Sequence, residues 1–263
     1  MQKALIVVIA VVAVLVIGWA VLRTADEPQE VLPEAPDTVA PAEPVAPPPD
    51  PTVPPADQPP TITEAPEPEE PLPPLQDSDP FVRERLEPLE LPQAWLDQEQ
   101  YVRRLAVLAE NAARGEVPRR QLAFLAPTEP FKVDTRNEDE VYIDPVSYTR
   151  YDPYVQHLVR IEPSRLAGLL TSLEPLVEVA LAEIGVQAAP GEVFAEAARQ
   201  VMAVPVLRDD VELIQPTVMY QYADPELEAL SALQKQILRM GPNNVERVQA
   251  YLRQLSAEMN LGL

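Results

Sequence analysis

The first eighty residues are not expected to contribute a folded core, an expectation that confines any globular structure to the remainder of the chain. Ala4–Leu22 is an unbroken apolar run of nineteen residues, ALIVVIAVVAVLVIGWAVL. As a helix it would rise roughly 28 Å, close to the ~30 Å hydrocarbon core of a bilayer. Residues 24–80 then carry nineteen of the 33 prolines, fourteen acidic residues, and no basic, aromatic or glycine residue. A segment so poor in packing surface cannot offset the entropy of ordering itself.

The apolar run reads as a retained membrane anchor. Trp19 stands near one end, where amphipathic rings favour the membrane interface. Lys3 and the α-amino group flank its start, and beyond Arg23 no basic residue occurs before Arg83. The count of basic residues therefore predicts a cytoplasmic N-terminus with everything after residue 23 outside. Signal cleavage would require small residues after a shorter apolar stretch, and VLRTADE places Leu22 and Arg23 there instead. The expected location is the inner membrane, crossed once through residues 4–22, with a periplasmic C-terminal domain.

The Pro-rich segment reads as a stalk or tether. Proline and mutual charge repulsion favour extended polyproline II geometry, with a reach between roughly 40 Å as a flexible coil and ~160 Å fully extended. Its fourteen acidic residues supply most of the net charge of −22 and leave −8 for the rest of the chain. An anionic stalk repels nucleic acid, so no nucleic-acid partner is expected. The expected organisation is residues 1–23 as anchor, 24–78 as stalk and 79–263 as the folded domain.

That domain reads as mainly α, a set of helices punctuated by proline. Asp-Pro recurs at 79–80, 144–145, 152–153 and 224–225. Asp is a favoured N-cap, and proline suits the first helical position because that N–H has no intrahelical partner. Pro118, Pro163 and Pro242 are further candidates for helix starts. Val245, Val248, Leu252, Leu255 and Met259 lie at steps of three and four, one apolar stripe. A preceding helix from Pro225 would present Leu230, Leu233, Ile237 and Met240, with Gly241–Pro242 as a tight junction between the two. Leu166, Leu169, Leu173, Leu176, Ala180 and Ile184 form another stripe, with Pro175 expected to kink or split it. Trp95, Val102, Leu105, Ala109 and Ala112 form a fourth, ended at Gly115. Two short hairpins are expected beside the helices: Phe131–Val133 with Val141–Ile143, and Val211–Ile214 with Val218–Tyr222.

The chain offers little catalytic vocabulary. It contains one histidine, His157, and no cysteine. Nucleotide-binding glycine motifs and a G-x-S-x-G elbow are absent. His157 reads as an ordinary helix residue. The clusters Glu138-Asp139-Glu140 and Asp209-Asp210-Glu212 lack an EF-hand pattern and read as solvated turns. No cofactor and no metal are expected.

The densest local composition is YIDPVSYTRYDPY, residues 142–154, with four of the eight tyrosines and Arg150. Tyr and Arg are enriched at binding hot spots. Tyr148, Arg150, Tyr151 and Tyr154 are therefore candidate binding residues; the competing reading is that the rings pack the hairpin onto the helices. The turn RMGPNN adds Arg239, Asn243 and Asn244, with helix capping as its competing role.

The segments LPPLQDSDPFVRERL (72–86), VYIDPVSYTRYDPYV (141–155) and YADPELEALSALQKQILRMGPNNVERVQAYL (222–252) resemble the bacterial family of domain of unknown function 3014. The resemblance implies an N-terminal membrane segment, a Pro-rich stretch and an envelope location. It assigns no activity and no catalytic residue. Three functional classes follow as expectations. A membrane-anchored periplasmic binding or scaffold domain, serving an envelope protein or a cell-wall component, leads. The alternatives are an envelope enzyme acting through carboxylates and a tethered transducer spanning the periplasm.

Overall fold

A computed structural model describes residues 71–119, 122, 126–137 and 140–261. The apolar run 4–22 and the Pro-rich segment up to residue 70 lie outside the described residues, as do Glu138 and Asp139. Among the described residues no helix is long and apolar enough to cross a membrane.

The described residues are mainly helical with one small antiparallel sheet. A 3₁₀ turn, Leu75–Asp77, leads into α1 (Asp79–Leu86), a second turn at Glu87–Leu89, the one-turn α2 (Gln93–Leu96) and α3 (Tyr101–Ala113). Strands β1 (Val133–Thr135) and β2 (Val141–Ile143) precede the short α4 (Val146–Thr149), then α5 (Asp152–Arg160), α6 (Pro163–Glu183) and α7 (Pro190–Met202). Strands β3 (Glu212–Ile214) and β4 (Gln221–Tyr222) lead to α8 (Pro225–Glu228), α9 (Ala232–Leu238) and α10 (Pro242–Met259).

The core is α3 packed against α7 and α6, with α10 lying across α6 and α5. Ala106, Ala109 and Ala112 of α3 are fully buried, as are Ala197 and Ala198 of α7. Small side chains at facing positions let two helix backbones approach closely. Most of the residues in the stripes expected from periodicity are inside: Leu166, Leu169, Leu173, Leu176 and Ala180 on α6, and all five of the α10 residues; Ile184, expected to continue the α6 stripe, lies just past the helix end and is 44% exposed. Leu75 is buried in the same core and Leu72 packs on it, so the packed region reaches into the end of the Pro-rich segment.

Both expected hairpins form, and they join into one four-stranded sheet of order β1-β2-β3-β4. The β1 strand lies two residues later than the sequence suggested, with Val133 opposite Ile143. The central pairing, Val141 opposite Leu213, links distant segments. Two isolated hairpins would be marginal; a continuous sheet backed by helices is not.

Several local expectations change. The helix expected to run from Pro225 to Met240 is interrupted at Leu230. Ser231 starts a new helix there through a reciprocal capping box with Gln234, which meets the Ser231 and Gln234 N–H groups at that helix start. Pro175 does not split α6. It lies on the exposed side, as does Thr171, whose carbonyl loses its helical partner and can turn to water instead. Trp95 belongs to α2, separated from α3 by Gln100 in left-handed geometry. Pro118 itself is not helical, and Arg119 lies in a turn. Asp79 does not cap its own helix. Its carboxylate accepts from the Gln100 and Tyr101 N–H groups at 2.7 and 3.1 Å and so caps α3.

Gly115 marks a close approach after α3. Its φ is +73°, and a Cβ there would lie 2.7 Å from the Ser231 Cβ. Its carbonyl accepts from Leu233 N at 2.9 Å, tying the end of α3 to the start of α9.

Candidate functional site

The two segments singled out by composition meet in space. Gly241, at the α9–α10 junction, holds φ +79° and lies directly against the Tyr148 ring; a Cβ would sit 2.4 Å from Tyr148 Cγ. Only glycine combines that backbone geometry with that clearance. Beside it, Asn244 donates through Nδ2 to Asp152 Oδ1 at 2.8 Å, to the Met240 carbonyl at 3.1 Å and to the Tyr148 carbonyl at 3.4 Å. One amide thus ties the start of α10 to α4 and α5.

Arg150 and Tyr151 form the inner layer. Tyr151 is fully enclosed and Arg150 is 8% exposed. Arg150 donates from Nε to the Ser147 carbonyl at 2.8 Å, from Nη1 to the Glu129 carbonyl at 3.2 Å and from Nη2 to the Tyr151 hydroxyl at 3.4 Å. Its guanidinium also faces the rings of Tyr151 and Phe131 at 5.1 and 5.5 Å. Backbone carbonyls and aromatic faces thus fix its position. Burial lowers the Arg150 pKa, and the nearby Arg239 charge lowers it further. Burial raises the Tyr151 hydroxyl.

The outer layer is half-buried. Tyr148 and Tyr154 are partly covered, Arg239 likewise, and Asn243 is exposed. Arg239 lies 6.0 Å from the Tyr222 ring centroid. Burial pushes the hydroxyls of Tyr148 and Tyr222 up to about 12. Sequence reasoning missed Tyr222 and Gln236. Tyr222 stands on β4, donates to the Lys235 carbonyl at 3.2 Å and belongs to the same cluster. Gln236 is 6% exposed beside Tyr151, near enough to act on its hydroxyl as a donor, and its Nε2 makes no hydrogen bond of good geometry. Nothing in the sequence marks Gln236, because a glutamine on a helix is usually solvated.

Elsewhere, His157 lies half-buried on α5 and lines a cleft of about 470 Å³ with Glu90, Arg160 and Arg165. Asp209, Asp210 and Glu212 line a second cleft of about 450 Å³, and Asp210 is paired with Arg136. Among the described residues no group of three or more His, Asp or Glu is placed to hold a metal ion.

The model of the family described as "Protein of unknown function (DUF3014)" matches residues 101–256. The chain belongs to that family. The family match opens at the first residue of α3 and ends within α10, so it contains both segments that form the Arg/Tyr cluster and leaves residues 72–86 outside. Comparisons with curated proteins and with solved structures give no match. Membership in DUF3014 therefore brings no activity with it.

Proposed function

We propose that the chain is a membrane-tethered binding or scaffold module of the bacterial envelope. In this reading residues 4–22 anchor it in the inner membrane with the N-terminus cytoplasmic. The acidic Pro-rich segment spaces the domain from the bilayer, and the domain faces a partner in the periplasm, either an envelope protein or a cell-wall component. The observation that carries the binding role is the convergence of residues 142–154 with the 239–244 junction. Arg239, Asn243 and Tyr148 supply the accessible layer, and Arg150, Tyr151 and Asn244 hold it rigid from beneath. Rigid aromatic area beside an arginine is the composition on which binding energy concentrates, because little entropy is lost on contact.

A photo-crosslinking residue at Asn243 in the full chain, expressed in membranes, tests this. One dominant adduct is expected, and Arg239→Ala should abolish it without changing protein level or melting temperature. The same crosslinker at Arg253, ten residues further along α10 and so ~15 Å away, should give none. Equal adducts at both positions, or an Asn243 adduct indifferent to Arg239→Ala, would overturn the reading. For the anchor, protease should digest the domain in spheroplasts and spare it in intact cells.

A further inference from the structure

The charges around the Arg/Tyr cluster are unevenly satisfied. Each neighbouring carboxylate is already engaged. Glu228 accepts from Lys235 Nζ at 2.7 Å and from the Tyr222 N–H at 2.9 Å. Asp152 accepts from Asn244 at 2.8 Å, and Asp210 is held by Arg136. The two guanidiniums are not. Arg150 spends its bonds on carbonyl oxygens and a phenol, and Arg239 lies against Tyr222; neither forms an ion pair with a carboxylate of the described residues. They are close enough for the charge of Arg239 to act on Arg150. The Glu228 charge reaches Arg239, but that carboxylate is already bonded to Lys235; two mutually repelling cations with no carboxylate bonded to either, one of them nearly buried, are costly unless an anion joins them. The buried Gln236 Nε2, close to the Tyr151 hydroxyl but with no bond of good geometry, adds a neutral donor to the same cluster.

We infer that this cluster takes a carboxylate carried on a peptide segment of the partner. Arg239 receives it with two parallel N–H bonds, and the half-buried Tyr148 ring flanks the chain that bears it, while Tyr222, 3% exposed, packs against Arg239 within the fold. Gln236 and the free N–H groups of Arg150 lie behind as further donors. A side chain on an otherwise apolar peptide fits better than a phosphate. The chain outside residues 24–80 is itself at −8, so its field opposes a dianion more strongly than a single carboxylate. This identification of the ligand rests on the binding role proposed above.

The test titrates the full chain in detergent with acetyl-Leu-Glu-Leu-amide, its Leu-Gln-Leu counterpart and inorganic phosphate. The readout is the Arg239 Nε–Hε resonance, assigned by its loss in Arg239→Gln. The Glu peptide should shift it saturably, and the Gln peptide and phosphate should bind at least tenfold more weakly. Gln236→Leu should weaken the Glu peptide several-fold while melting no lower than wild type, since it removes a buried donor with no bond of good geometry. Equal affinity for the Glu and Gln peptides overturns the proposal, as does tighter phosphate binding or no saturable shift. If that happens while the Arg239-dependent crosslink at Asn243 persists, the acidic ligand is wrong and the binding module stands. Loss of both results removes both.

Discussion

The helical core and the junction around Gly241 are built from opposite materials. The buried polar or charged residues among the described residues are Ser78, Ser147, Arg150, Gln236, Asn244, Gln249 and Ser256, and none lies on α3, α6 or α7. Those three helices meet through apolar side chains, alanine and aliphatic residues with the Phe194 ring, and the Arg103–Glu183 ion pair between α3 and α6 lies among partly exposed side chains outside that core. Four of the seven, Ser147, Arg150, Gln236 and Asn244, lie at the junction, beside the helix ends and the sheet. The dry region is held by area and close contact, which are tolerant of which apolar residue supplies them. The polar region is held by directional bonds, where each donor requires one particular acceptor. The first arrangement stabilises a fold; the second fixes the position of a few side chains, which is what a recognition site needs.

The difference can be tested by substitutions of opposite kinds. Phe194→Ala removes a fully buried ring from α7 and should cost about 3–5 kcal/mol, read as a lowered urea midpoint with an unchanged slope. An effect below ~1 kcal/mol would mean that the helical region is not the dominant source of stability.

At the junction the damaging change is an addition. Gly241→Ala should cost about 2–5 kcal/mol, from the left-handed backbone and from displacement of the Tyr148 ring. It should also abolish the Asn243 crosslink, whereas Phe194→Ala should leave residual folded protein able to crosslink. If both variants lose the adduct in proportion to folded fraction, the two regions are energetically one.

Asn244→Ala deletes three hydrogen bonds at a site 2% exposed and should cost about 1–3 kcal/mol. Asn244→Asp is the sharper partner, because it replaces the shared donor with an acceptor facing Asp152. It should be worse than alanine in thermal melts at pH 7 and recover as pH falls.

The smallest effect is confined to alkali. Tyr148 and Tyr222 hold folded pKa values near 12 because burial disfavours the phenolate. Their unfolded value is about 10. Protonated phenol is favoured in the fold, so this stability is fully present below pH ~10 and is lost as pH rises toward 12. Difference spectra at 295 nm should show late-titrating tyrosines that Tyr148→Phe and Tyr222→Phe remove one at a time. Tyrosines titrating together near pH 10 would show the junction to be open to water.

The sequence by itself determined many of the helices and several of their starts, but α7, Pro190–Met202, which packs at the centre of the core, was not among those expected. Pro163 and Pro242 start α6 and α10, Gly115 follows α3, and the stripes on α6 and α10 point inward, because these features act over one to four residues. Both hairpins were legible for the same reason. Tertiary structure decided what met what. The pairing of Val141 with Leu213, the capping of α3 by Asp79 and the bond from Asn244 to Asp152 all join residues whose separation leaves no periodic trace. The capping box at Ser231 was written locally, yet it lost to the longer apolar stripe when read without its neighbours. Composition drew attention to Arg150 and Tyr151, but only packing could place them beneath the surface and bring Arg239 beside them. A tyrosine–arginine cluster has the same sequence whether it lines a surface or supports one; which role it takes depends on the elements that close over it.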